Sequence, residues 1–303
     1  MTEPLRIVLI SQQARTLSRL RSVCVIAGHT VSAYVSARSQ RPNGAASPMH
    51  LAMAAQVIAE APAGTDVLLP SSGRGIAQAL AGCHPDLLVC SGFPWRLPSE
   101  VLRVPRLGAV NIHPSLLPRY RGPMPVHWAV RNGDPETGVT VHWMDEEFDT
   151  GPIIIQRGGV PLDDKIAPGR LWHQMDRLAA DLLGLALERI ADGCAGDPQD
   201  NSAASRFAQM GPEFLVVNWE QTVQEIHNQV RTFRLGLPFG RGPMAKVGDS
   251  WMIVLATRTE PGDGLRAECA DGPIWIVDAL PVAEPPSIER APTDRAPSLG
   301  APL

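Results

Sequence analysis

Apolar positions along the chain alternate with polar ones in short blocks that read as strands and helices in turn. Residues 5–10 (LRIVLI) form a strand signal, and an amphipathic helical stretch covers 14–27 and ends at Gly28, a residue suited to a helix C-cap. Residues 29–36 read as a second strand, with Val31, Ala33 and Val35 alternating. Strand, helix and strand at this spacing open a doubly wound parallel sheet. The turn after the first strand, Ser11-Gln12-Gln13-Ala14-Arg15, has no glycine, which excludes a G-x-G-x-x-G dinucleotide loop there.

The pattern continues with a polar loop at 37–48 and helical stretches near 49–60 and 73–82, with a short strand at 67–69 between them. Residues 86–91 (DLLVCS) and 108–113 (GAVNIH) are apolar enough to be central strands covered on both faces. A further strand at 139–144 (VTVHWM) leads through an acidic loop to 152–156, and 171–191 predicts a long amphipathic helix. Residues 193–211, rich in Gly, Asp, Ser and Ala, read as a linker. Beyond it, a helix at 219–232 and strands at 247–257 and 273–282 predict a smaller α+β or barrel-like unit. The stretch 283–303 is rich in Pro, Glu and Ala without a period and is expected to be disordered. The expected organisation is thus 1–192, a linker at 193–211, a second domain at 212–282 and a tail.

Composition narrows the classes. The 303 residues are 44% hydrophobic and 19% charged, enough for a sizeable core. No apolar run reaches a membrane span, and the start lacks the basic-then-apolar order of a signal peptide. The five cysteines form no CxxC pair and are odd in number, which argues for free thiols in a reducing cytoplasm and against a disulfide framework or structural zinc. Net charge is −4, with 8 basic and 12 acidic residues in 212–303, so a strongly basic nucleic-acid surface is not expected.

Chemistry concentrates in Asn111–Gly122, N-I-H-P-S-L-L-P-R-Y-R-G. Asn111 and His113 are two apart on an extended segment, so their side chains point to the same side of the sheet. Pro114 stops the strand, which places an amide and an imidazole at the carboxyl end of a buried strand, where open α/β sheets bind ligands. Met144–Gly151, M-D-E-E-F-D-T-G, packs four carboxylates into a loop where they repel each other unless partnered. The turn at Thr150-Gly151 could aim Asp149 inward, where it would favour an imidazolium at His113. Arg119 and Arg121 are candidates to orient an acidic group, and solvated loop arginines are an equal reading. His127, His142, His173 and His227 read as structural or exposed, and Trp128 and Trp143 as core aromatics.

These residues, with Trp128-Ala129-Val130, Gly133, Thr137-Gly138-Val139-Thr140 and Asp149-Thr150-Gly151, resemble the folate-dependent formyltransferases, densely from about Ser91 to Gly151. The resemblance implies that Asn111, His113 and Asp149 are the catalytic trio and that 10-formyltetrahydrofolate is the formyl donor, without a metal. It also implies donor contacts from Phe93, Pro94, Trp95, Arg96 and Leu97, and from Asp145, Glu146 and Glu147 on the second loop. Val217-Asn218-Trp219 and Ile226–Arg231 are similar to the family's C-terminal domain, an oligonucleotide-binding-like barrel. The expected fold is therefore α/β, Rossmann-like and doubly wound with a mainly parallel sheet, plus a smaller C-terminal barrel.

The expected reaction is addition of an amine to the formyl carbonyl. Asn111 and a protonated His113 would stabilise the charge that develops on its oxygen, and Asp149 would hold the imidazolium. For the acceptor, only two lysines (Lys165, Lys246) and an acidic C-terminal third argue against a tRNA track. The main expectation is a small-molecule amine or hydroxylamine, such as an amino sugar or an ornithine-type side chain. The alternatives are methionyl-tRNA formyltransferase, a 10-formyltetrahydrofolate hydrolase and a catalytically silent folate-binding protein.

Overall fold

The computed structural model describes residues 3–164, 167–237 and 240–283. The described residues fall into two compact units. One takes the chain up to Gly122, Thr137–Val160 and Leu171–Arg206, and the other Pro123–Glu136, the stretch from Pro161 to Arg170 and the chain from Phe207 onward. Residues 193–206, linker-like by composition, pack in the first unit. Apart from Ala283, the expected tail lies outside the described residues.

The first unit is built on seven strands: β1 (Arg6–Ile10), β2 (Thr30–Val35), β3 (Asp66–Leu68), β4 (Leu87–Cys90), β5 (Gly108–His113), β6 (Glu136–Trp143) and β7 (Ile153–Pro161). They lie in the order β3-β2-β1-β4-β5-β6-β7. The pairs from β3 through β5 are parallel, and β6 runs antiparallel to β5. Every residue of β4 and four of the five in β1 are buried, which is why these segments read as unbroken apolar runs: helices cover both faces. Those helices are α1 (Ala14–Ile26), α2 (Pro48–Glu60), α3 (Gly73–Cys83), α4 (Ser99–Leu102) and α6 (Pro168–Ala191). Ser47 and Ser72 cap α2 and α3 by accepting the His50 and Gly75 N–H groups. Strand order reverses between β1 and β4, so the carboxyl ends of β1, β4 and β5 form the crevice edge of the sheet.

The second unit holds α5 (Pro125–Arg131), α7 (Val223–Arg234) and an antiparallel sheet of β8 (Met244–Val247), β9 (Ser250–Arg258), β10 (Leu265–Cys269) and β11 (Gly272–Val282), ordered β10-β11-β9-β8. A capping box between Thr222 and Glu225 starts α7. Ile226 and Val230 of that helix pack with Val217, Ala245, Val254, Ile274 and Ile276 into the unit's core. The fold is therefore the expected doubly wound α/β class with a smaller barrel-like unit. Among the described residues no helix is long and apolar enough to cross a membrane, and the five cysteines are free thiols.

Candidate active site

The antiparallel pairing of β5 with β6 sets the site. Asn111 lies opposite His142 and His113 opposite Thr140, so Asn111, His113 and His142 project from one face of two adjacent strands. Asn111 Nδ2 donates to Asp149 Oδ1 at 3.1 Å and approaches His142 Nε2 at 3.3 Å. His113 Nδ1 lies 3.4 Å and His142 Nε2 3.6 Å from the same carboxylate oxygen. The other ring nitrogens fix the tautomers. His113 Nε2 donates to the Tyr120 carbonyl at 2.8 Å, and His142 Nδ1 to the Trp143 carbonyl at 2.7 Å. His142 Nε2 thus lies between Asn111 Nδ2 and Asp149 Oδ1.

Asp149 reaches this cluster through a turn that few sequences permit. Its own φ is +58°, in the left-handed region. Two residues on, a Cβ at Gly151 would overlap the Trp143 carbonyl oxygen, so only glycine fits. Asp149 Oδ2 accepts the Gly122 N–H at 2.8 Å, and Gly122 is at φ +99°. The neighbouring carboxylates find partners, as their mutual repulsion demands. Asp145 accepts from the Glu147 N–H and the Thr150 hydroxyl, while Glu147 pairs with Arg96 and Arg206.

Burial and charge act on the trio in opposite directions. Burial alone would raise the Asp149 carboxyl, but His113, His142 and the Gly122 N–H outweigh it and hold it at about 2. At His113 burial dominates and lowers the imidazole below its usual range, against the pull of Asp149 and of the Tyr120 carbonyl. Burial of a ring 4% exposed thus opposes the expected imidazolium, while the two oxygens that face its nitrogens favour it. Burial also pushes the Cys90 thiol up to about 12, which removes it as a nucleophile.

His142, expected to be structural or exposed, is 1% exposed and within reach of both Asn111 and Asp149. Its signal was the strand register: an antiparallel partner to GAVNIH sets a side chain beside Asn111. His173 is exposed, and burial lowers His127 to about 4. Trp128 stacks on Phe207 at 4.7 Å, and Trp143 donates to the Cys194 carbonyl.

The residues expected at the donor separate into two groups. Trp95 and Leu97 are buried among core residues with Phe93 and Met144 packed against them, and Trp95 Nε1 donates to the Ser39 carbonyl at 3.0 Å. Arg96 and Glu147 are exposed and joined at 3.2 Å, so the two loops meet there. Glu146 lies 4.0 Å from Arg103. Arg119 lies over the Tyr120 ring, whereas Arg121 is buried and bonded to Gln199 and Asn201, which removes it as a substrate contact. Among the described residues no group of three or more His, Cys, Asp and Glu is arranged to hold a metal ion.

A family profile described as Formyl transferase matches residues 5–176, more than half of the chain. The chain belongs to the formyl transferase family. This formyl transferase is 36% identical over 240 residues to the methionyl-tRNA formyltransferase of Moorella thermoacetica, covering 78% of this chain and 75% of that one. It is 33% identical over 225 residues to the methionyl-tRNA formyltransferase of Pelobacter propionicus, covering 69% of each. Among solved structures, HypX from Aquifex aeolicus in complex with tetrahydrofolic acid superposes with a TM-score of 0.61 at 20% identity, covering 91% of this chain and 44% of HypX. That likeness is one of fold.

The names of the sequence relatives overturn the expectation of a small-molecule acceptor with tRNA set aside. Net charge says nothing of where cations sit, and 25 of the 27 basic residues of this formyl transferase are arginine, whose planar fork binds phosphate at least as well as lysine.

Proposed function

We propose that this formyl transferase moves the formyl group of 10-formyltetrahydrofolate to the amino group of methionyl-tRNA, with Asn111, His113 and Asp149 as the reacting machinery. The acceptor is supported by the names of relatives that share a third or more of the aligned sequence. The residue roles are supported by one observation above all: Asp149 Oδ1 has Asn111 Nδ2, His113 Nδ1 and His142 Nε2 all within 3.6 Å.

The donor supplies an amide-like carbonyl. The neutral form of His113 takes at Nδ1 the proton that the amine loses as it adds. The imidazolium so formed has its two N–H groups on the Tyr120 carbonyl and Asp149 Oδ1, so it is stabilised as soon as it appears. It then returns the proton to the departing nitrogen, which balances the transfer. Asn111 gives up its longer contact, to His142, and turns that N–H to the carbonyl oxygen as charge gathers there. One such donor contributes roughly 3–4 kcal/mol to lowering the barrier. The donor's flat ring would lie between residues 92–97 and 144–147 and be gripped by their main chain, since the Trp95 and Leu97 side chains are turned into the core.

The test combines the purified protein, 10-formyltetrahydrofolate and charged methionyl-tRNA. Formylmethionyl-tRNA should appear one-for-one with tetrahydrofolate. Tetrahydrofolate release without the tRNA, or no release at all, would contradict the proposal.

A further inference from the structure

We infer that Gln199 is a positioning residue, bracing the turn that carries Asp149 against the loop that holds His113. The inference rests on the roles proposed above for Asn111, His113 and Asp149. Gln199 Nε2 donates to the Asp149 carbonyl at 2.9 Å and to the Gly151 carbonyl at 2.8 Å. Its Oε1 accepts from Arg121 Nε at 3.1 Å and Arg121 Nη2 at 2.8 Å. Both hydrogens and both lone pairs of one amide are thus spent, two on each loop.

The far end of the brace explains its relevance. Arg121 stands between Tyr120, whose carbonyl accepts from His113 Nε2, and Gly122, whose N–H donates to Asp149 Oδ2. A shift of Arg121 would therefore move the partners of two of the three reacting groups. The Arg121 guanidinium is buried and has a further acceptor in Asn201 Oδ1 at 2.9 Å, so it is itself a fixed point.

The chain around Gln199 is built into both loops. Asp197 exchanges two backbone hydrogen bonds with Ile153, at 2.7 and 2.8 Å, just after the Asp149 turn. On the other side Arg121 N donates to the Ser205 carbonyl at 2.9 Å, and Tyr120 N to Ser205 Oγ at 2.9 Å. Asp149 needs such restraint because its positive φ is disfavoured for a residue with a Cβ, and a relaxed backbone would swing the carboxylate away from His113. Asparagine could not replace Gln199, being shorter by one carbon–carbon bond of about 1.5 Å.

The experiment compares Gln199→Ala, Gln199→Glu and Asp149→Asn, and combines the first with the third. Gln199→Glu keeps an acceptor for Arg121 but turns oxygen toward the Asp149 and Gly151 carbonyls, so it separates loss of the brace from loss of the fold. Both Gln199 variants should lose roughly 10–100-fold in kcat, the cost of a misplacement near 1 Å, with KM for donor and acceptor unchanged. In the Asp149→Asn background Gln199→Ala should add nothing, because the brace acts through Asp149. Full kcat in both Gln199 variants, or losses that multiply in the double variant, would overturn the inference while leaving the reacting trio standing. Full turnover in Asp149→Asn would overturn the assignment of the trio itself, and the brace with it.

Discussion

Among the described residues histidines face two aspartates, and the two clusters differ in an instructive way. In the second unit His227 Nε2 lies 2.8 Å from Asp164 Oδ2, its Nδ1 is 2.8 Å from Thr257 Oγ1, and Arg231 Nε adds a contact to Asp164 at 2.7 Å. Every polar atom there has a short partner, and Asp164 is 54% exposed. In the first unit His113 stands 3.4 Å from Asp149, both nearly buried, and the one carboxylate oxygen is shared with Asn111 and His142. The tighter cluster is a clasp with nothing left to offer a substrate. The looser one keeps long, shared contacts that can be exchanged for new ones during a reaction, and it holds them without water to compensate.

Replacing each aspartate breaks the comparison most sharply. Asp149→Asn should lower turnover by about 10²–10⁴-fold, as loss of the group that governs a general base does. Asp164→Asn should leave turnover unchanged and cost about 1 kcal/mol of stability, the scale of a half-exposed pair. Steady-state rates and denaturant unfolding of the two variants give both readings. Equal loss of turnover in the two would erase the distinction.

Gly151→Ala sharpens it next. The added methyl collides with the Trp143 carbonyl oxygen and must displace the turn that carries Asp149. We expect a loss of about 1–3 kcal/mol in stability and a fall in turnover larger than that destabilisation explains. Gly248, where a Cβ meets open space, is the control in the other unit: alanine there is strained only through its φ of +58° and should leave turnover unchanged. Unchanged activity in Gly151→Ala would mean that the turn is not what aims Asp149.

The smallest effect is on titration. Asp149 is held at about 2, so its contribution of about 2 kcal/mol is fully present above the ordinary carboxylate range and is lost as pH falls through about 2. His113 is shifted the other way by burial, so its ring should titrate below the ordinary imidazole range by NMR. Because Asp149 pulls His113 upward, Asp149→Asn should move that midpoint further down. A midpoint at or above the ordinary range would mean that Asp149 and the Tyr120 carbonyl outweigh burial.

Much of the first unit was legible because its signals are local. The runs that became β1, β4 and β5 are apolar without a break, and α1 buries Ala14, Leu17, Leu20 and Cys24 along one stripe. Asn111 and His113 follow from strand period alone. What stayed hidden depends on register or on distant partners. α5 starts from Met124 at φ +60°, a conformation that no propensity announces, and β10 is a short strand whose Leu265 is 53% exposed. The antiparallel turn of β6 onto β5 brought His142 to the site, and no periodicity within VTVHWM encodes that pairing. Residues 193–206 look like a linker because small polar residues suit loops, yet their amides and carbonyls hold two other loops in place. The opposing pull of burial on His113 is hidden because a nearby carboxylate is visible in sequence and desolvation is not.

The most direct test is the single-turnover rate of formyl transfer to methionyl-tRNA by Asn111→Ala at saturating donor. Loss of the amide that faces the carbonyl oxygen should slow that step by roughly 10²–10³-fold while donor binding is kept. A rate equal to that of the unaltered protein would contradict the account.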